Sequence, residues 1–298
     1  MHHPNAASRK RRLAGISLAI VLVLALVGCG QKAEAPLAAE TPTTSDVVLA
    51  STTSTQDSGL FDVLIPAFEE ANPEYKVKVI AVGTGEALKL GETKDADVLL
   101  VHAKADEEKF VANGFGIVRK DVMYNDFVLV GPASDPAAIK GSADTTAAMR
   151  AIEKAGKADK ALFVSRGDDS GTHKKELKLW GAAGVTPTPT PDANAWYVST
   201  GQGMGETLKV ANEKAAYTLV DRATYLSSQK ANPDIAVLYE KDKGLLNQYG
   251  VIVVTDAKNQ TAGQAFADWI LSAEGQKVIG EYGVEEFGQQ LFVPNANY

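Results

Sequence analysis

The pattern of apolar and polar positions along the chain alternates short apolar runs with segments of helical periodicity. Residues 47–50 form an apolar run, and residues 59–70 then place Leu, Val, Ala and Phe at helical spacing. Residues 76–82 predict a second strand, and residues 97–101 predict a buried strand of the parallel type. Strands and helices that alternate in this way predict an α/β fold.

The later part of the chain repeats this alternation and indicates two lobes. Residues 126–131 predict an apolar strand that leaves the first group of elements, and residues 251–255 predict a strand that returns to it. We therefore predict that lobe one comprises residues 46–127 plus 251–298, and that lobe two comprises residues 128–250. Two α/β lobes that are joined by two crossover strands close on ligands by a hinge motion.

The N-terminal segment has the pattern of an export signal. A basic run at residues 9–12 precedes an uncharged apolar stretch of secretory length, which ends in Leu-Val-Gly before Cys29. This pattern predicts a lipoprotein signal peptide at residues 1–28, lipidation of Cys29, and a flexible tether at residues 29–45. An ordinary signal peptide or an uncleaved anchor would also place the folded body outside the cytoplasm. We expect the protein in the periplasm or at the outer face of the cytoplasmic membrane, held by its lipid.

The net charge of the chain argues against some classes of binding partner. Loss of the signal peptide removes four positive charges and no negative ones, so the formal charge falls from −7 to −11. Such an acidic protein does not suit nucleic acid or a polybasic membrane patch, because both need clustered Lys and Arg. The sequence has no metal-ligand pattern and no nucleotide-binding loop, so we expect no metal and no cofactor. An anionic ligand would have to be held by local, oriented donors.

Hydroxyl side chains are concentrated where the first strand ends. Residues 51–55 are five consecutive Ser and Thr residues, among them Thr53 and Ser54, just ahead of a predicted helix. Hydroxyls and backbone N–H groups at such a place can donate to an anion. Thr84, between two glycines after the second strand, repeats the arrangement. A capped helix start and an ordinary turn are the alternatives.

A polar segment at residues 166–172 combines a guanidinium, two hydroxyls and a glycine at a helix start. These groups, Arg-Gly-Asp-Asp-Ser-Gly-Thr, can surround a tetrahedral anion, while the flanking carboxylates hold the arginine. A surface ion pair in an ordinary loop is one alternative. Another is a serine hydrolase with Ser170 as nucleophile and His102 or His173 as base, since Asp-Ser-Gly is similar to part of a serine protease motif.

Several segments resemble the tungstate-binding proteins of Tup-type ABC importers. They are residues 51–60, 96–103, 123–127, 165–176, 200–205, 217–222 and 287–294. The likeness covers nearly the whole mature chain, with Ser51 as a departure where threonine is commoner. It implies the two-lobed periplasmic binding fold of the second type, with two crossover strands as hinge and an oxyanion cleft between the lobes. It further implies a monomer that delivers the anion to a membrane permease and catalyses no reaction.

The Arg-Gly-Asp-Asp-Ser-Gly-Thr loop is also similar to that of phosphate-binding proteins, where arginine, serine, glycine and threonine hold the anion and the first aspartate steadies the arginine. Carried over, these positions are Arg166, Ser170, Gly171 and Thr172, with Asp168 in the steadying role. The resemblance thereby adds to what the residue types alone indicate.

His102 departs from the phosphate-binding pattern, which places an acceptor carboxylate five residues after the Asp of the third strand. Here that Asp is Asp97, and His102 follows it by five positions. Tungstate at neutral pH has no proton to donate, whereas an imidazole N–H can donate to it. We hypothesise that His102 helps to reject phosphate. The alternative is a ring bonded to a backbone carbonyl at the strand end.

The predicted site therefore draws on both lobes. It comprises Thr53, Ser54, Thr84 and His102 from lobe one and Arg166, Ser170, Gly171 and Thr172 from lobe two. On the resemblance alone tungstate is the expected ligand, with the near-isosteric molybdate beside it. A phosphate- or sulfate-binding protein remains the alternative within the same class.

Overall fold

The computed structural model describes residues 44–188 and 195–296. The predicted signal peptide, Cys29 and the tether up to residue 43 lie outside the described residues, as does most of the Thr- and Pro-rich segment after residue 186. Within the described ranges, no helix is long and apolar enough to cross a membrane. The described residues all belong to one compact unit.

Strands and helices alternate through most of the described chain, as the hydrophobic pattern predicts. The strands are β1 (Ser45–Thr52), β2 (Tyr75–Val82), β3 (Val98–Val101), β4 (Gly116–Pro132), β5 (Phe163–Ser165), β6 (Tyr197–Ser199), β7 (Thr218–Asp221), β8 (Ile235–Tyr239), β9 (Leu246–Val254) and β10 (Val293–Pro294). The helices are α1 (Thr53–Asp57), α2 (Leu60–Ala71), α3 (Thr84–Glu92), α4 (Lys104–Ala112), α5 (Thr145–Lys157), α6 (Gly171–Ala182), α7 (Met204–Glu213), α8 (Arg222–Ser228), α9 (Gln260–Leu271), α10 (Ala273–Glu281) and α11 (Val284–Phe287).

The main sheet is mixed, in the order β10-β4-β9-β3-β1-β2, and β7 and β8 also pair with β4. β1 lies parallel to both β2 and β3, whereas β9 runs antiparallel to β3 and β4. The prediction of a purely parallel neighbourhood for β3 was therefore wrong on one side. All four β3 residues are buried, because this strand lies between two neighbours and under helices on both faces.

The two crossover strands are longer than their apolar runs predict. β4 begins at Gly116 instead of near residue 126, and β9 begins at Leu246 instead of residue 251. Charged residues in the first half of β4 interrupt the apolar pattern. Arg119, for example, is buried in an ion pair with Glu107 of α4 at 2.6 Å. β4 pairs with β9 along its first part and with β7 and β8 along its last part.

The two largest hydrophobic clusters each lie mostly within one predicted lobe. One group surrounds α2 and α9, where Phe68 meets Phe266 and Trp269 edge to face at ring-centroid distances of 5.1 and 5.5 Å. Another group forms around α6, where Trp180 packs against Phe163 at 5.1 Å. The predicted boundaries near residues 128 and 251 stay a prediction, and the terms lobe one and lobe two refer below to these predicted parts.

Candidate functional site

Loops at the ends of β1, β2, β3 and β5 converge between the predicted lobes. The close approach is clearest at Gly171. A Cβ at this position would lie 2.7 Å from Cε1 of His102 and 2.9 Å from the hydroxyl of Thr84. Gly83 shows the same approach, since a Cβ there would lie 3.3 Å from the carbonyl oxygen of Asp168. A side chain at Gly171 would force its neighbours to move, and one at Gly83 would be tightly packed. The structure thus brings the segments from both lobes together.

The hydroxyl run of lobe one is divided between contacts within lobe one and a contact with lobe two. Thr52 is the N-cap of α1 and accepts from the backbone N–H of Thr55 at 3.3 Å, and Ser51 donates to the carbonyl oxygen of Leu100 at 2.6 Å. These two positions are structural, as the alternative interpretation expects. Thr53 and Ser54 instead lie towards lobe two.

Thr53 and Ser54 occupy the place that the sequence predicts for ligand contacts. The hydroxyl oxygen of Thr53 accepts from Nη2 of Arg166 at 2.9 Å. The hydroxyl of Ser54 is only 1% exposed and lies 3.2 Å from Nε2 of His102. Because Thr53 accepts this bond, its own hydroxyl hydrogen remains available to a further acceptor.

The loop after β5 holds a buried arginine. Nη2 of Arg166 donates to a carboxylate oxygen of Asp168 at 2.5 Å, and the other carboxylate oxygen accepts from the backbone N–H of Ser170 at 3.2 Å. Asp168 therefore steadies Arg166 in the way that the resemblance implies. Gly167 has a φ of 61°, and a Cβ there would meet the Ser199 side chain at 1.7 Å. The loop shape thus requires this glycine.

Helix α6 begins at the site. Ser170 is its N-cap, and its hydroxyl oxygen accepts from the backbone N–H of His173 at 3.2 Å. Its hydroxyl hydrogen can therefore point elsewhere. Gly171 and Thr172 form the first turn, whose N–H groups have no intrahelical acceptor in any α-helix. The positive end of the α6 dipole lies at the same point.

Buried donors at this place lack partners inside the protein. Within residues 44–188 and 195–296, the hydroxyls of Thr84 and Thr172 and the Nε and Nη1 atoms of Arg166 have no hydrogen-bond partner. Thr84, Thr172 and Arg166 are at most 2% exposed. A buried unpaired polar group destabilises a protein by about 1–3 kcal/mol, and a charged one by more. All four atoms are hydrogen-bond donors, and the acceptor oxygens of an oxyanion are the kind of partner that such groups need.

The ring of His102 contacts side chains through both nitrogens. Nε2 lies 3.1 Å from the Thr52 hydroxyl and 3.2 Å from that of Ser54, and Nδ1 lies 3.1 Å from the side-chain oxygen of Asn247. These side-chain partners differ from the single backbone carbonyl of the alternative interpretation. Burial and, to a smaller extent, the charge of Arg166 together lower the pKa of His102 to about 4. The ring is neutral at pH 7.

Sequence reasoning missed three residues behind His102. Asn247 donates to the side-chain oxygen of Asn125 at 2.8 Å, and Asn125 lies 3.5 Å from the carboxylate of Asp221. Asp221 caps α8 by accepting from the N–H of Thr224 at 2.9 Å, and burial raises its pKa to about 6. Asparagine is depleted in strands, so Asn125 in β4 and Asn247 in β9 were the available signal.

The geometry does not form a hydrolase site. The hydroxyl of Ser170 meets the backbone N–H of His173, whose ring Nδ1 accepts from the N–H of Asp169 at 3.1 Å. No hydrogen bond joins Ser170 to either imidazole in the described chain, whereas a nucleophile needs such a base. The described ranges also contain no group of three or more His, Cys, Asp or Glu that could hold a metal ion.

Several further contacts join the two predicted lobes around the site. Nζ of Lys174 bonds Asp106 at 3.0 Å and Asp169 at 2.9 Å. On the other side, the N–H of Gly205 donates to Asp57 at 3.3 Å. Next to Lys174 a groove of about 490 Å³ leads towards His102 and Gly171, and its lysines are Lys104, Lys174, Lys175 and Lys178.

A family model, curated relatives and solved structures all indicate the same family for this chain. The family described as PBP superfamily domain matches residues 37–274. The tungstate-binding protein TupA of Peptoclostridium acidaminophilum is 50% identical, over 96% of this chain and 99% of the relative. A crystal structure of the tungstate ABC transporter from Geobacter sulfurreducens is 47% identical with a TM-score of 0.70, over 80% of this chain and 98% of that one.

A second solved structure, the tungstate-binding protein TupA from Desulfovibrio alaskensis G20, is 45% identical with a TM-score of 0.68. It matches 85% of this chain and 99% of its own. The predicted α/β fold of the periplasmic binding type is confirmed by these likenesses. With such identity over nearly the full length of its relatives, the chain belongs to the TupA family within the PBP superfamily.

Proposed function

We propose that this protein is the substrate-binding component of an ABC importer and captures tungstate between its two lobes. The observation that carries the proposal is the set of buried donors on Thr84, Thr172 and Arg166 that have no partner among the residues the structure describes. Natural proteins rarely bury such groups unpaired, and a tetrahedral dianion supplies acceptors in several directions. The names of the relatives, which bind or transport tungstate, point to the same ligand.

The two lobes contribute different donors to the anion. Lobe two supplies the guanidinium of Arg166, the hydroxyls of Ser170 and Thr172, and the backbone N–H of Gly171 at the start of α6. Lobe one supplies the hydroxyls of Thr53, Ser54 and Thr84. Each hydrogen bond to a charged group contributes about 1.5–3 kcal/mol. Six or seven of them, less the cost of association, are compatible with nanomolar affinity.

The same donors disfavour hydrogen phosphate. A protonated oxyanion needs an acceptor, whereas the groups proposed to face the anion act as donors, and the carboxylate of Asp168 is oriented towards Arg166 and Ser170 instead. Sulfate lacks a proton but is smaller than tungstate, so it would reach fewer of the donors at once. The preference for tungstate over molybdate rests on the relatives, because the two anions are near-isosteric.

The remaining parts of the proposal concern the place and partners of the protein. Export through the predicted signal at residues 1–28, lipidation of Cys29 and a tether would hold a monomeric binding protein outside the cytoplasm. The closed lobes would then present the anion to a membrane permease. The anion is transferred unchanged, so Ser170 is a ligand group and the protein is not an enzyme. The lysines of the groove beside His102 would attract the anion locally in spite of the net negative charge.

Calorimetric titration tests the proposal. The chain without residues 1–28, with Cys29→Ser, is titrated with tungstate, molybdate, sulfate and phosphate. We expect nanomolar binding of tungstate and binding of phosphate that is at least about 1,000-fold weaker, about 4 kcal/mol. Tight phosphate binding would instead support the phosphate-binding alternative. Absence of heat with all four anions would refute the proposed site.

A further inference from the structure

Four buried side chains behind the hydroxyls of lobe one form a hydrogen-bonded row. Its members are, in order, Asp221, Asn125, Asn247 and His102. Their exposed fractions lie between 1% and 6%. The two asparagines are register partners on β4 and β9, the strands that connect the predicted lobes. The proposed anion contacts alone give these asparagines no role.

The row has a direction, because one arrangement of the two amides gives every contact a donor and an acceptor. The carboxylate of Asp221 accepts at neutral pH, so the amide nitrogen of Asn125 faces it at 3.5 Å. The oxygen of Asn125 then accepts from the amide nitrogen of Asn247 at 2.8 Å. This leaves the oxygen of Asn247 facing Nδ1 of His102 at 3.1 Å.

An amide oxygen at this distance requires a hydrogen on Nδ1. Since the ring of His102 is neutral, that is its only ring N–H, and Nε2 presents a lone pair to Thr52 and Ser54. The other tautomer would set two acceptors, Nδ1 and the oxygen of Asn247, against each other in a buried place. An unpaired buried acceptor is destabilising.

We propose that Asn247 is a positioning residue that fixes His102 as the Nδ1–H tautomer. Nε2 then accepts the hydroxyl hydrogen of Thr52, whose oxygen accepts from the backbone N–H of Thr55. With the lone pair of Nε2 occupied, the hydroxyl hydrogen of Ser54 is left to the Thr52 oxygen, 3.1 Å away, or to the anion when it is bound. This inference rests on the proposed function, and it replaces the expectation that a ring N–H of His102 donates to the ligand.

Because the side chain of Asn247 is a neutral amide, it adds no charge that would favour protonation of His102. His102 faces the charge of Arg166, and the ring of Tyr249 packs on it at a centroid distance of 4.8 Å. Asp221 closes the far end of the row. An aspartate at position 247 would stabilise the imidazolium and raise the pKa of His102. Tungstate affinity would then depend on pH in the variant.

The first experiment determines the tautomer without any ligand. After removal of residues 1–28, the histidines that remain are His102 and His173. Nitrogen-15 NMR of the histidine-labelled chain, with His173→Gln to assign the signals, reports which ring nitrogen of His102 carries the hydrogen. We expect a protonated Nδ1 and an unprotonated Nε2 at pH 7. The reverse pattern would overturn the proposal.

The second experiment compares Asn247→Asp with the wild type in tungstate titrations between pH 6 and pH 8. At pH 8 the added carboxylate should weaken binding about tenfold. At pH 6 most of this loss should disappear, because a proton on His102 cancels the new charge. The wild type should change less than about twofold. Asp221, whose pKa is raised to about 6 by burial, also titrates near this range, and the wild-type series at the same pH values measures its contribution.

Asn232→Asp is the matched control, because Asn232 is equally buried but donates to the carbonyl oxygen of Ser228, away from His102. It should leave the pH dependence unchanged. A loss in Asn247→Asp that is the same at both pH values would indicate a merely structural role and contradict the proposal. A wild type that binds no tungstate would refute the proposed function and the anion-directing role, whereas the NMR result on the tautomer would stand.

Discussion

The two walls of the cleft differ in how far the protein itself uses their hydrogen-bonding groups. On the lobe one side the hydroxyl of Thr52 lies 3.1 Å from that of Ser54 and 2.7 Å from that of Thr55, and the ring of His102 adds a further partner. On the lobe two side Arg166 has two guanidinium nitrogens and Thr172 has a hydroxyl without any partner in the described chain. Lobe two therefore holds most of the unused binding capacity.

This difference assigns separate tasks to the walls. A buried cation with unpaired N–H groups gains most when an anion arrives, so lobe two should determine affinity. A wall of neutral, mutually bonded hydroxyls gains less, but its oriented hydrogens can discriminate among anions by their protonation. We expect substitutions in lobe two to weaken the binding of every oxyanion strongly. Substitutions in the lobe one wall should have smaller effects.

The largest effect is expected for Arg166→Ala. The change removes the only formal positive charge of the loop and several charged hydrogen bonds, so tungstate affinity should fall about 1,000-fold or more. Arg166→Lys should be intermediate, because the charge remains while the forked geometry is lost. Calorimetry measures both. Arg150→Ala is the control, since Arg150 of α5 bonds the carbonyl oxygen of Ala183 outside the site. Equal affinities of Arg166→Ala and wild type would remove the basis of the comparison.

Gly171→Ala tests whether the walls must meet. Its Cβ would lie 2.7 Å from His102 and 2.9 Å from the hydroxyl of Thr84, so the lobes could not approach fully. We expect affinity to fall about 100-fold, about 3 kcal/mol, as several anion contacts lengthen. Gly181→Ala in the same helix is the matched control, because nothing lies within 4 Å of its added Cβ. An equal effect of the two changes would show that helix propensity, and not closure, is responsible.

The sequence was more informative about the lobe two wall than about the lobe one wall. The arginine loop is contiguous, so the residue types from Arg166 to Thr172 and their order were sufficient to predict their convergence. The hydroxyl run indicated the end of β1 but not the division between Ser51 and Ser54, which depends on where β1 ends at Thr52 and α1 begins at Thr53. Asn125 and Asn247 lie far apart in the chain, and only the register of β4 and β9 brings them together. The polar first halves of these strands hid that register.

A moderate effect is expected for Ser54→Ala. Loss of one neutral donor to a dianion should weaken tungstate binding about tenfold and leave the fold intact. Ser51→Ala provides the contrast three positions earlier in the same hydroxyl run, because Ser51 donates to the carbonyl oxygen of Leu100. It should lower the free energy of unfolding by about 1 kcal/mol and leave affinity unchanged. Thermal denaturation and calorimetry on both variants separate the two roles. A loss of affinity in Ser51→Ala as well would mean that the wall acts as one unit.

The smallest effect is expected for Lys174→Gln, which breaks the contact of Lys174 with Asp106 across the cleft. These side chains are partly exposed, so the ion pair contributes at most about 1 kcal/mol, and the closed form should open about two- to fivefold faster. Stopped-flow measurement of tungstate release tests this, and the difference should shrink in high salt because exposed charges are screened. Lys157→Gln, which breaks an ion pair with Glu153 inside α5, should not change the release rate. A salt-independent effect would show that Lys174 contributes by packing, and the cation would then have no part in holding the two walls together.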